Sequence, residues 1–227
     1  MAAPGVLELS EATALLRLMS WLSPVFPIGG FAYSAGLEQA VHDGHVSDRI
    51  SLSDWIDVQI TQGALWNDAV ILVQAHRCTG DKVKLAELSA LCQALCVGQE
   101  RLNETMGQGT SFLQAVSHWV EPVHFPQRDT PLPVAVGIAA GIERIDPRLT
   151  ISAYLHAFVS NQLQCAIRLS VVGQDGAAKA LSSLEALMEQ TAERAASSSL
   201  DELGGAAFVA DIASMNHEIL QPRLFLS

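Results

Sequence analysis

A chain of 227 residues, 49% of them hydrophobic, is long enough to close one sizeable core, and its length predicts a single domain over 1–227. Its 24 acidic against 13 basic residues give a formal charge of −11 and a pI near 4.9, which argues against nucleic acid as a partner, because a polyphosphate needs clustered Lys and Arg to release its counterions. Only 16% of residues are charged and the mean hydropathy is +0.26, so part of the surface is expected to be covered by an oligomer mate or a stable partner.

The first helix is predicted from Leu9, Ala12, Leu15, Leu16, Met19 and Leu22, which recur at three and four residues, with Ser10 near its N-cap. Pro24 and Pro27 then forbid helix, each pushing the residue before it out of the α region. Gly29 and Gly30 permit positive φ, and Phe26, Phe31 and Tyr33 place large rings on a segment with little regular structure to bury them. Such a loop is either wedged into a core or offered to a partner. A second helix is predicted from about 31 to 43, stopped by Gly44. Ser51 to Asp54 reads as a capping box that opens a long helix through Trp55, Ile56, Ile60, Leu65 and Leu72, its apolar face interrupted by Asn67 and Asp68.

Two helices over about 82–97 and 99–119 are predicted to meet at Gly98, before a loop marked by Pro122, Pro126, Pro131 and Pro133, the last of which suits the first turn of the next helix. The apolar run 132–142 falls short of the roughly 20 residues that a membrane-spanning helix needs, so no membrane span is predicted. Asp146-Pro147 opens a long helix to about 172, residues 173–176 read as a turn, and an Ala- and Leu-rich helix follows over about 178–197. A Ser/Gly connector at 197–205, a short helix over about 206–213 and a tail complete the chain. No segment alternates as a strand does, which predicts an all-α, single-domain helical bundle of roughly eight to ten helices. Cys78, Cys92, Cys96 and Cys165 lie in apolar helical stretches and no basic residue precedes Arg17, which predicts a reduced, cytoplasmic protein without a secretory leader.

The chemical motifs resolve mostly into packing. Ala32-Tyr33-Ser34-Ala35-Gly36 has the outline of a nucleophile elbow, but that chemistry needs a strand before the serine, and a proline loop precedes it. His217-Glu218 would start a zinc-protease helix if position 221 were histidine, and it is Gln221. Cys92 and Cys96 share a helix face and read as core thiols, His42 and His45 flank Gly44 as a solvated helix end, and Gly107-Gln108-Gly109 lacks the third glycine of a dinucleotide fingerprint, which Phe112 replaces. Gly137 and Gly141 have the small-xxx-small spacing of close helix packing or a dimer contact. The tail is different: Ile219, Leu220, Leu224, Phe225 and Leu226 put five apolar side chains beyond a helix end, with Pro222 stiffening the chain and Arg223 as a fixed charge. A terminus of this kind either folds back on its own bundle or becomes ordered in a partner's groove.

The stretch Trp21 to Glu38 resembles the signature of the UreF family of urease accessory proteins, and Asp211 to Glu218 followed by Pro222 to Ser227 is similar to that family's C-terminal tail. Between them AYLHAF at 153–158, Arg168-Leu169 and GQDG at 173–176 fall in the family's order, so the likeness spans nearly the whole chain. Ala35 stands where the family more often has a larger polar residue. The resemblance implies a non-catalytic maturation chaperone and homodimer that bridges UreD (also called UreH) and the GTPase UreG in a complex with apo-urease, modulating GTP-dependent nickel insertion. It implies no resident cofactor and no metal ligands, with nickel transiting the assembled complex. On the same ground the tail over 212–227 is expected to bind the UreD-type partner through Met215, His217, Glu218, Arg223, Leu224 and Phe225, with Phe225 as apolar anchor and Arg223 as hydrogen-bond donor. Pro27, Gly29, Gly30, Phe31, Tyr33, Ser34 and Glu38 are expected to shape the surface that meets UreG or the dimer mate. The alternatives are a helical hydrolase using Ser34 or a Cys/His pocket, and a direct nickel binder.

Overall fold

A computed structural model describes residues 9–125 and 129–227, so expectations resting on the first eight residues and on Pro126 lie outside the described residues. Among the described residues there are ten α-helices, three 3-10 turns and no strand. Helix α1 (Glu11–Trp21) is capped by Ser10, whose hydroxyl accepts from the Thr13 N–H at 3.2 Å. The proline loop that follows is pinned by Phe26, which enters an aromatic cluster with Trp21, Phe112 and Trp119 at centroid distances of 5.5 to 6.4 Å. Ile28 packs partly buried against the core, while Val25 and Phe31 are exposed.

The second helix is much shorter than its sequence pattern predicts. Residues Gly30–Ala32 form a 3-10 turn, and α2 (Leu37–His42) begins only after Ala35 and Gly36, both with positive φ, have broken the chain direction. Gly36 is required there twice over, since φ is +80° and a Cβ would stand 3.0 Å from the backbone nitrogen of Ser214.

The next predicted helix is two. Helix α3 (Arg49–Gln62) starts earlier than expected because Asp48, not Ser51, is its N-cap, with Ser51 completing the capping box. It ends at Gly63, whose extended backbone separates it from α4 (Ala64–Arg77). Helices α5 (Lys82–Ala94) and α6 (Gln99–Val116) meet near Gly98 as predicted, and Pro131 and Pro133 sit at the start of α7 (Leu132–Ile142). Asp146 caps α8 (Pro147–Arg168), while Asp175 and Gly176 are helical within α9 (Gln174–Ser197) and not a turn. The last helix, α10 (Phe208–His217), runs four residues past its expected end.

Helix α4 is the hub of the bundle, packing on α3, α5, α7, α8 and α9. Along α7 the small residues face α4 so closely that a Cβ on Gly137 would lie 2.3 Å from the Leu72 carbonyl oxygen, which makes this spacing a packing device within the chain. Helix α10 closes one end of the bundle by packing on α2 and α6, and this brings the tail to the proline loop. Among the described residues no helix is long and apolar enough to cross a membrane.

Candidate functional site: the meeting of loop and tail

A loop without a hydrogen-bond ladder of its own must find donors for its carbonyl groups. Helix α8 supplies them from one face. Asn161 Nδ2 donates to the Tyr33 carbonyl at 2.9 Å, Gln162 Nε2 to the Ser34 carbonyl at 2.8 Å, Cys165 Sγ to the Tyr33 carbonyl at 3.4 Å, and an Arg168 guanidinium nitrogen to the Phe31 carbonyl at 2.8 Å. Burial pushes the Cys165 thiol up to about 12, so it stays a donor.

The tail then lies against the same loop. The Leu226 N–H donates to the Ala32 carbonyl at 2.8 Å, and both the backbone N–H and the hydroxyl of Ser34 donate to the Ser227 carbonyl oxygen, the former at 2.7 Å. The Ser227 hydroxyl reaches Glu104 at 3.3 Å. The backbone N–H groups of Leu224 and Phe225 donate to the two Glu38 oxygens at 2.7 and 3.0 Å. Phe225 is 2% exposed, with the Arg168 guanidinium 4.1 Å above its ring, so one arginine touches loop and tail together.

A chain of charges fixes this arrangement. His217 is fully buried, its Nε2 3.0 Å from Glu38 and its Nδ1 2.7 Å from Glu100, and Arg223 donates to the other Glu100 oxygen. Glu218 accepts from the Gln99 and Glu100 N–H groups at 2.7 and 3.3 Å, capping α6 where its own N-cap residue, Gly98, has no side chain to offer. A Cβ at 98 would come 2.8 Å from that Glu218 oxygen, so a side chain there would have to push the capping carboxylate aside. Glu218→Ala is therefore expected to remove an N-cap from α6 and cost about 1 kcal/mol, a fall of about 2–4 °C in calorimetric Tm.

Behind the tail a second polar chain enters the core. Arg101 pairs with Asp68 at 2.6 Å and with Glu104 at 3.5 Å, and the Tyr154 hydroxyl donates to Asp68 at 2.9 Å. Burial pulls the Arg101 guanidinium down, but Asp68 and Glu104 outweigh it and hold it well above its ordinary value. Burial raises the Glu104 carboxyl above the usual carboxylate range against the pull of Arg101. Cys92 and Cys96 lie beside this cluster, their thiols pushed up by burial. Among the described residues no group of three or more His, Cys, Asp or Glu side chains is placed to hold a metal ion.

The sequence profile of the UreF family matches residues 46–185. The chain is 48% identical to urease accessory protein UreF 1 of Brucella anthropi over 215 residues, 94% of either chain. It is 48% identical to urease accessory protein UreF of Rhizobium etli and 49% identical to that of Mesorhizobium japonicum, each over 219 residues, 96% of this chain and 98% of the relative. The chain belongs to the UreF family.

In this UreF-family chain the loop and tail singled out from sequence meet through Ser34 and Glu38. Ser34, Glu38, His217 and Phe225 are buried at the junction, while Phe31, Met215, Glu218, Arg223 and Leu224 are exposed and Gly29, Gly30 and Tyr33 are half-buried; Pro27 is exposed and lines a cleft beside Phe26 and Trp119 instead. Phe225 and Arg223 are engaged by this UreF-family chain itself, on Arg168 and Glu100, so in this conformation the outward face consists of their neighbours. Sequence reasoning missed the bundle side of the junction. The α8 set 161, 162, 165 and 168 carried a usable signal, polar positions recurring on one face of an apolar helix, whereas Glu100 and Glu104 carried none.

Proposed function

We propose that this chain serves urease maturation as a non-catalytic cytoplasmic scaffold, joining a UreD-type protein to the GTPase UreG so that GTP hydrolysis is coupled to nickel delivery into apo-urease. Nickel is the cargo of that assembly. The observation that carries the reading is a set of exposed apolar side chains: Phe208, Ile212, Met215 and Ile219 recur at helical spacing along α10 and just beyond it, and Leu224 and Leu226 of the tail are exposed as well. Ile219 is 83% and Leu224 63% exposed, a large apolar surface for a chain on its own. We assign these side chains to contact with the UreD-type partner, with Phe225 and Arg223 as inward posts that hold the tail in shape. The loop side, where Phe31 is 71% exposed, is assigned to UreG or a dimer mate. The hydrolase alternative is disfavoured by Ser34, which is fully buried with its hydroxyl committed to the Ser227 carbonyl oxygen.

Removal of 212–227 would be a poor test, because it cuts α10 in half and uncaps α6. The double variant Met215→Asp, Leu224→Asp leaves the junction intact. Its capture of a purified UreD-type protein is expected to weaken at least about tenfold, since two apolar contacts of about 1–2 kcal/mol each are replaced by buried charge. Undiminished capture by a folded double variant would retire the assignment.

A further inference from the structure

We propose that helix α10 and the opening turn of α6 form one cooperative unit, so that a protein holding α10 also orders the α5–α6 corner at 95–98. Each element lacks what the other supplies. The first N–H groups of a helix have no acceptor within it, and Gly98 gives α6 no side chain to cap them. The acceptor is Glu218, the C-cap residue of α10, which takes the Gln99 and Glu100 N–H groups on one oxygen. Nor is α6 strong by composition, since Gly107 and Gly109 lie within it and glycine is the weakest helix former after proline.

Helix α10 is as dependent. It has 10 residues, too few to stand alone in water, and its N-cap residue Ala207 makes no side-chain cap. Its buried side chains are Ala210, Ala213 and His217, while Phe208, Val209, Ile212 and Met215 are exposed. Apolar packing inward is therefore thin, and a cavity of about 20 Å³, lined by Val97, Arg101, Ala210, Asp211 and Ser214 among others, lies between α10 and the corner. The contacts that hold its end are polar: Glu100 faces His217 Nδ1 at 2.7 Å, and Glu38 of α2 faces Nε2 at 3.0 Å. One of those two carboxylates stands in the very turn that Glu218 caps. Bonds thus cross the same contact in both directions, from the α6 backbone to an α10 side chain and from an α10 side chain to an α6 carboxylate, and unwinding either element breaks both sets. The Met215 side chain would lie 3.7 Å from a Cβ on Gly98, so one exposed apolar contact of α10 stands over the corner itself.

As a statement about partners this rests on the assignment of α10 to a UreD-type protein, but the coupling is a property of the isolated chain.

The test is hydrogen exchange on the full chain. The Leu102 N–H donates to the Gly98 carbonyl at 3.1 Å, within α6, so it exchanges when the opening turn unwinds and not when the Glu218 side chain alone swings away. Ile212→Pro breaks α10 from an exposed position, and should speed exchange about 100-fold in α10 and by the same factor at Leu102, while amides in the middle of α9 keep their wild-type rates. Glu100→Ala should conversely speed exchange at Ile212 and Ala213. A Leu102 rate unchanged beside an opened α10, or equal acceleration in α9, would overturn the proposal. If Ile212→Pro does not fold, the wild type decides: in low, rising denaturant Leu102 and α10 should show one opening free energy with one slope, and two separate slopes overturn it. Saturating purified UreD-type protein should slow Leu102 together with α10. Slowing confined to α10 counts against the coupling, whereas a chain that passes the tests alone but captures no such protein sinks the partner reading and leaves the coupling standing.

Discussion

Glu38→Ala is expected to detach the tail while leaving the bundle folded. One carboxylate here accepts from three donors, the His217 ring and the N–H groups of Leu224 and Phe225, and all are lost together. Removing one side of a buried charged pair costs about 3–5 kcal/mol, and two backbone donors left without an acceptor add to it. The chain can avoid most of that only by returning the tail to water, which gives up the burial of Phe225, about 2 kcal/mol. Hydrogen exchange at Leu224 and Phe225 should accelerate by about 100-fold or more, since each 1.4 kcal/mol is a factor of ten. Glu38→Gln should fall between, because an amide keeps an acceptor oxygen but turns an NH₂ towards donors. Slow exchange in the alanine variant would show that something other than this carboxylate holds the tail.

Arg101→Met is expected to destabilise the whole bundle by about 3–5 kcal/mol at neutral pH, because it leaves Asp68 and Glu104 buried without their cation. For a chain of this size that is a drop of about 10 °C in Tm, visible by calorimetry. The loss should shrink as the pH is lowered. Glu104 already stands above its ordinary value through burial, and Arg101 is what holds it down, so the variant raises it further. A carboxyl raised in the folded state takes up a proton on folding; its fold loses stability as pH climbs from the unfolded value through the folded one, and regains it on acidification. Adding Glu104→Gln to Arg101→Met should restore part of the loss at neutral pH, and a pH-independent difference from the wild type would exclude this account.

Elements whose signals are local were legible from the sequence. Ser10 caps α1, Gly98 separates α5 from α6, and Asp146-Pro147 opens α8 because each rests on chemistry within one turn. Errors arose where tertiary contact chose between local options. Asp48 and Ser51 both carry capping chemistry, and the structure uses the first to start α3. The break between Ala35 and Gly36 exists because α10 crosses there, with Ser214 against Gly36. Likewise Met215 to His217 remain helical because His217 is held from two neighbouring helices. The loop and tail residues were recognisable as special, but not as mutual partners, since Glu38 and His217 are 179 positions apart. Glu100, which bonds both His217 and Arg223, is an ordinary first-turn acid in sequence.

The Glu218 carboxylate that completes the start of α6 belongs to a residue 119 positions later in the chain. During synthesis α6 is made long before that oxygen exists, and its opening amides must wait in water. The order of manufacture thus leaves one end of the bundle unfinished until residue 218 has emerged, and closure of the fold there becomes a late step.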